Sequence, residues 1–156
     1  MKEATWVVEF VSPCLANSGG PAGEKDRFLT DSKGRLIFSQ AQHYSAFTKA
    51  IEVARVRGVK AGDIQPDLLV EAPTALYERR YGEDKYRTHE AIMPGTRVQF
   101  KAVVDDRITE SVFRLILEKL GSYVGFSPYG FKLGFGKYVV ISVTVAPSDA
   151  AETVVQ

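Results

Sequence analysis

Gly95-Thr96-Arg97-Val98-Gln99-Phe100-Lys101-Ala102-Val103-Val104 is the stretch that decides how this chain is read. From Arg97 onward, Val98, Phe100, Ala102 and Val104 fall on one side of an extended backbone. Arg97, Gln99, Lys101 and Val103 fall on the other. Strict alternation of this length marks a strand with one face in a core and one toward water. Pro94-Gly95 breaks the chain before it, and Asp105-Asp106 marks a turn after it. Just downstream, Thr109 is placed to cap a helix, and Glu110 sits in the first turn, where the helix dipole favours negative charge. Val112, Phe113, Ile116, Leu117 and Leu120 give that helix an apolar stripe, and Gly121 is expected to end it. A last strand is expected from Tyr138 to Val145.

The same reading extends upstream. In Thr5-Trp6-Val7-Val8-Glu9-Phe10-Val11, Trp6, Val8 and Phe10 share one face of a strand that Ser12-Pro13 terminates. Asn17 to Gly23 reads as a flexible glycine-rich loop. Phe28-Leu29-Thr30 and Arg35-Leu36-Ile37-Phe38 flank a turn at Asp31-Ser32-Lys33-Gly34, as a small hairpin would. Ser39 is a candidate cap for a helix whose inward face is Tyr44, Phe47, Ile51 and Ala54, with Gly58 as its stop. Leu68 to Tyr77 reads as a second long strand, at an edge or bulged because Pro73 has no N–H to donate. Glu78 to Glu90 is dense in both signs of charge and reads as a long loop.

In order, these elements are strand, helix, strand, strand, helix, strand. Two right-handed β-α-β crossovers place both helices on one face of a four-stranded antiparallel sheet. The expectation is an α+β, ferredoxin-like (RRM-like) β-α-β-β-α-β domain over residues 1–146, with a flexible tail at 147–156. The outer sheet face would carry Arg97, Gln99 and Lys101.

A chain of 156 residues, 45% apolar and 25% charged, suits one globular domain. No apolar run approaches the ~20 residues of a membrane span. The start, Lys2 and Glu3 followed by alternation, is unlike a signal peptide, so a cytoplasmic location is expected. Cys14 is the lone cysteine, which excludes an internal disulfide and a thiolate zinc site. His43 and His89 are the only histidines, and the acidic residues lack calcium-loop spacing, so no metal and no cofactor are expected. The net charge of +1 lacks the basic excess of a duplex-DNA binder, so any nucleic-acid role rests on local patches.

Two segments supply such patches. Gly121 to Tyr138 interleaves glycines with Tyr123, Phe126, Tyr129, Phe131, Phe135, Lys132 and Lys137. Glycine permits close backbone approach, so amides near Gly134 and Gly136 are candidates to meet phosphate, with aromatics to stack on bases and lysines to pair with phosphates. It is neither a P-loop nor a dinucleotide loop, because it runs from a helix into a strand. The competing account is that the glycines make turns and the aromatics fill the core. The charged segment offers Arg79, Arg80, Lys85 and Arg87 as a phosphate path, with Tyr81 and Tyr86 for stacking. Its plain alternative is a solvated hairpin with weak ion pairs.

A helix, a glycine-rich segment containing Gly130-Phe131-Lys132-Leu133-Gly134-Phe135-Gly136, and a final strand together resemble the RAMP superfamily of CRISPR-associated RNA-binding proteins. Asp31 to Ser39, leading into the first helix, looks similar to their strand-to-helix entry. Gly95 to Phe100, Leu120 to Phe126 and Phe135 to Tyr138 are also similar to small phage and prophage proteins of this type. The resemblance runs from about residue 28 to 145. It implies a ferredoxin-like fold and RNA binding, within guide-RNA complexes. Some members of that superfamily cleave RNA with a histidine as acid or base, which makes His43 the candidate here.

Three functions therefore stand. The first is a non-catalytic RNA or single-strand-binding module using Arg79, Arg80, Lys85, Arg87, Arg97, Lys101, Tyr129, Lys132, Gly134, Gly136 and Lys137. The second is an assembly subunit of phage or counter-defence type. The third is a metal-independent endoribonuclease using His43.

Overall fold

In the computed structural model, which describes residues 1–17 and 25–147, the alternation at Arg97–Val104 is a strand with every second side chain buried. In chain order the elements are β1 (Lys2–Phe10), β2 (Cys14–Leu15), β3 (Leu29–Thr30), β4 (Leu36–Ile37) and α1 (Gln40–Ala54). After a single 3-10 turn (Ala61–Asp63) come β5 (Ile64–Pro66), β6 (Leu69–Val70), β7 (Ala75–Gly82), β8 (Lys85–Ile92) and β9 (Arg97–Val104). Then follow α2 (Glu110–Lys119), a π turn (Leu120–Val124), α3 (Gly130–Leu133) and β10 (Tyr138–Pro147).

β10, β1, β9 and β5 hydrogen-bond in that order, each pair antiparallel. β1 and β9 bring Trp6 opposite Phe100, whose rings stack at 5.7 Å. Trp6 also meets Phe47 of α1 and Phe113 of α2, so both helices pack on the same side of the sheet. The core formed there runs from Ala4 to Val143 in sequence. Burying aromatic side chains of this size dominates core energetics. A second sheet pairs β2, β8 and β7, and a third, of two-residue strands, pairs β3, β4 and β6.

The helix starts match the cap chemistry. The Ser39 side chain accepts the Gln42 amide, and the Thr109 side chain accepts the Val112 amide. The stops differ from expectation. α1 ends at Ala54 because Arg55 takes a left-handed conformation (φ 55°), ahead of Gly58. α2 does not end at Gly121 but widens into the π turn there. A Cβ on Gly121 would lie 2.5 Å from the Tyr138 carbonyl, so its lack of side chain serves helix-to-strand contact.

Two strand assignments are corrected. The expected strand from Leu68 to Tyr77 divides around Pro73, giving β6 to the small sheet and the start of β7 to the hairpin. β9 pairs instead with β5, too short to show a period. The charged loop from Glu78 to Glu90 is an antiparallel hairpin, β7 and β8, whose register shifts between Arg80 and Gly82 before it turns at Glu83-Asp84, with Asp84 at φ 53°. The small hairpin at 28–38 forms as read, with Leu29 opposite Ile37. Most of the glycine-rich loop at 17–23, and the tail beyond Pro147, lie outside the described residues; β10 itself extends to Pro147.

Candidate nucleic-acid interface

Helix α1 and the glycine-rich segment face each other across a groove of about 810 Å³. Tyr44 and Lys49 line it from α1, and Ser127, Pro128 and Phe131 from the other wall. Tyr44, read as a core residue, is 59% exposed. α1 buries His43, Ala46, Phe47, Ala50 and Ile51 instead, so its inward stripe is shifted by one residue and Tyr44 is turned into the groove. Phe131 is 55% exposed, with the Lys49 ammonium 4.6 Å from its ring centre. Exposed rings beside an ammonium form a surface on which a base can stack while its phosphate meets a cation.

The glycine-rich segment is more tightly built than an open loop. A Cβ on Gly125 would fall 2.3 Å from the Phe135 carbonyl, and one on Gly130 2.5 Å from the Val124 carbonyl. The amides near Gly134 and Gly136 are already engaged: Gly134 donates to the Gly130 carbonyl at 2.8 Å and Gly136 to the Pro13 carbonyl at 2.7 Å. Phe126 is in the core and Phe135 packs on Tyr77. The Lys137 ammonium donates to the Ser122 and Tyr123 carbonyls, and burial lowers its pKa. It ties the end of the π turn to β10. Lys132 remains exposed.

The hairpin turns one face inward. Tyr77 and Arg79 are half-buried against the glycine-rich segment, while Arg80, Lys85 and Tyr86 are exposed. Arg87 forms a two-pronged ion pair with Asp26, and the attached hydrogen bond raises its pKa. His89, inside the segment expected to be a long charged loop, is fully buried. Its Nδ1 donates to the Ala16 carbonyl at 2.7 Å and lies 3.2 Å from the Asp26 carboxylate. The Arg79 Nε donates to its Nε2 at 3.1 Å. Asp26 and His89 are the residues that sequence reasoning missed. They are far apart in the chain, and neither lies in an apolar pattern.

His43, the candidate acid or base, lies early in α1 and is 1% exposed. It is packed among Phe38, Phe47, Phe100 and Phe126, and among the described residues neither ring nitrogen has a polar partner. Burial lowers its pKa to about 4. A general acid or base must come within hydrogen-bond reach of the proton it moves, and here the ring is enclosed by phenylalanine side chains instead of facing the groove.

On the outer sheet face Arg97 and Lys101 are exposed as read, and Arg97 pairs with Glu9 at 3.1 Å. In the β1 and β9 registers this face carries Thr5, Val7, Gln99 and Val103 around them. RRM domains stack bases on aromatic side chains of that face; no ring stands among these residues. Among the described residues no three His, Cys, Asp or Glu side chains gather as metal ligands, and no helix is long and apolar enough to cross a membrane.

No known family profile matches this chain, and no curated protein matches it in sequence. In fold it is similar to a chain of a structure described as the Type III-B Cmr-beta bound to cognate target RNA. The TM-score is 0.55 and the identity 11%, over 94% of this chain. The match spans 61% of the other chain, so the protein corresponds to part of it. The likeness is one of fold, an α+β arrangement shared with part of that chain.

Proposed function

We propose that this chain is a non-catalytic RNA-binding module of RAMP type, a single ferredoxin-like domain over residues 1–146 that serves in the cytoplasm as a subunit of a larger ribonucleoprotein. The observation that carries the reading is the groove in which Tyr44 and Phe131 stand exposed beside Lys49. The sheet order β10-β1-β9-β5, with α1 and α2 on one side, supports the ferredoxin-like part. In that frame β5 is the second core strand, and the β7–β8 hairpin is an insertion before the third. The fold likeness to a chain of an RNA-bound complex supports the RNA part.

Single-stranded RNA would stack its bases on Tyr44 and Phe131. Its phosphates would meet Lys49 and Lys132 along the groove, and Arg79, Arg80 and Lys85 along the hairpin. Arg97 and Lys101 offer a weaker outer patch, since Glu9 offsets Arg97. Lys137, Gly134 and Gly136 hold the segment in shape, and Tyr129 holds Arg79.

The test is fluorescence anisotropy with labelled single-stranded RNA and DNA at low and moderate salt. Micromolar or tighter RNA affinity that weakens with salt is expected. Tyr44→Ala with Phe131→Ala is expected to reduce it roughly tenfold or more, and a denaturing gel of the same samples is expected to show intact RNA. Absence of binding at low salt overturns the reading. An assembly subunit would then stand first, on the strength of exposed Leu29, Leu76 and Leu133 and the near-neutral charge.

A further inference from the structure

Arg79 and Arg87 stand directly opposite each other in the β7–β8 ladder, where like charges repel. Arg87 is answered by Asp26, through both carboxylate oxygens. His89 brings no positive charge. The Ala16 carbonyl is an acceptor only, so the His89 proton sits on Nδ1 and leaves Nε2 bare to accept from Arg79. Burial lowers the His89 pKa, against the opposing pull of the Ala16 carbonyl and Asp26, which keeps the ring neutral near pH 7. Among the described residues the Asp26 carboxylate is taken by Arg87, and no carboxylate pairs with the Arg79 guanidinium.

That guanidinium is held in a fixed direction. His89 pins Nε, the Tyr129 ring centre lies 4.3 Å from Cζ, and the Tyr81 ring centre lies 5.5 Å from it. His89 is itself gripped by Ala16, Asp26 and the edge-on Tyr129 ring. Among the described residues no acceptor meets the two terminal nitrogens of Arg79, and neither is sealed from solvent. A guanidinium fixed at Nε and on its face, with its terminal fork open, matches two oxygens of one phosphate. Such a group loses little rotamer freedom on binding, which is the benefit of preorganisation.

We propose that Arg79 is a preformed receptor for one backbone phosphate of RNA, and that His89 is the positioning residue that aims it. This rests on the RNA-binding reading and adds to it a phosphate position and a second residue, inside the hairpin base, on which affinity depends.

The test has two arms. In the first, labelled single-stranded RNA is titrated against variants. Arg79→Lys keeps the charge and removes the fork, and affinity is expected to fall about ten- to a hundredfold. His89→Gln, which retains an acceptor for the Arg79 Nε, is expected to bind close to wild type. His89→Leu, which has none, is expected to bind like Arg79→Lys. If His89→Leu does not fold, Arg79→Lys and Arg79→Ala decide, because Arg79 is only half-buried. In the second arm, inorganic phosphate is titrated while the Arg79 Nε–H resonance is followed by NMR, and it is expected to shift. RNA bound equally well by wild type and Arg79→Lys overturns the receptor and leaves RNA binding standing. A phosphate-dependent shift with no RNA binding supports the receptor and overturns RNA as the source of its phosphate. Neither RNA binding nor a shift overturns both.

Discussion

His43 and His89 are both shut off from solvent, at 1% and 0% exposure, in surroundings of opposite character. His43 projects from α1 into phenylalanine rings, the Phe126 centroid at 4.9 Å, and both its nitrogens go without partners among the described residues. His89 lies in the base of the hairpin, where Ala16, Asp26 and Arg79 between them engage both nitrogens. A buried polar group without a partner forfeits its hydration and gains nothing directional in return. With partners, the same ring becomes the connection among segments at residues 16, 26, 79 and 129. One histidine therefore sits in the core with its polarity unanswered, and the other is the organising centre of a polar network.

The largest expected effect breaks the network side of this comparison. Asp26→Ala leaves Arg87 without its buried carboxylate and removes the carboxylate that lies 3.2 Å from His89 Nδ1. A loss of roughly 3–5 kcal/mol is expected in urea unfolding at pH 7. A loss below about 1 kcal/mol would mean that the hairpin base is hydrated and that the contrast with His43 is one of packing alone.

Acidification probes both rings. The His43 pKa is about 4 in the folded chain, against about 6.5 unfolded. Between those values the unfolded chain binds a proton that the folded chain refuses. Its contribution to stability is therefore complete above about pH 6.5, declines as pH falls toward 4, and is gone below it. The expected loss is on the order of 3 kcal/mol. The His89 pKa is also lowered, so its contribution has the same sign. Unfolding midpoints measured from pH 7.5 to 4 should show the decline, and a flat profile would place a hidden acceptor beside His43.

The smallest effect sharpens the His43 side. His43→Leu removes two unsatisfied nitrogens at little change of volume, and stabilisation by about 1–2 kcal/mol at pH 7 is expected. Its acid-side decline should shrink to the share carried by His89. Destabilisation would instead indicate a water bound to the ring, in the roughly 10 Å³ space among His43, Trp6, Phe126 and Tyr138, which is about one water's room.

The contrast also explains which parts of the molecule were legible in the sequence. Arg97–Val104 and Trp6–Phe10 were readable because a half-buried strand stamps its period on polarity. Ser39 and Thr109 were readable because capping is a local bond within four residues. The hairpin was not. Its inward face is Tyr77 and Arg79 against Arg87 and His89, polar residues whose burial is compensated by Asp26 from a distant segment. No local pattern announces such compensation. β5 escaped for a different reason, since Ile64–Pro66 is shorter than any period. In the candidate groove, Phe131 was readable as an aromatic among glycines. Tyr44 was mistaken for core because either of two adjacent stripes of α1 satisfies helical spacing.

By itself the sequence determined the alternation of helices and strands, the long antiparallel strands and the concentration of candidate chemistry in two segments. These follow from periodicity, capping and composition, all local quantities. Only the tertiary structure decided which stripe of α1 faces inward, which short strand completes the sheet, and which charged side chains are spent inside the fold. Arg87 and Lys137 are engaged by distant partners, whereas Arg79 is held by His89 and Tyr129, with no acceptor at its terminal nitrogens among the described residues. Those outcomes depend on what arrives from remote segments, because the fate of a buried charge is set by its partner and not by its neighbours in sequence.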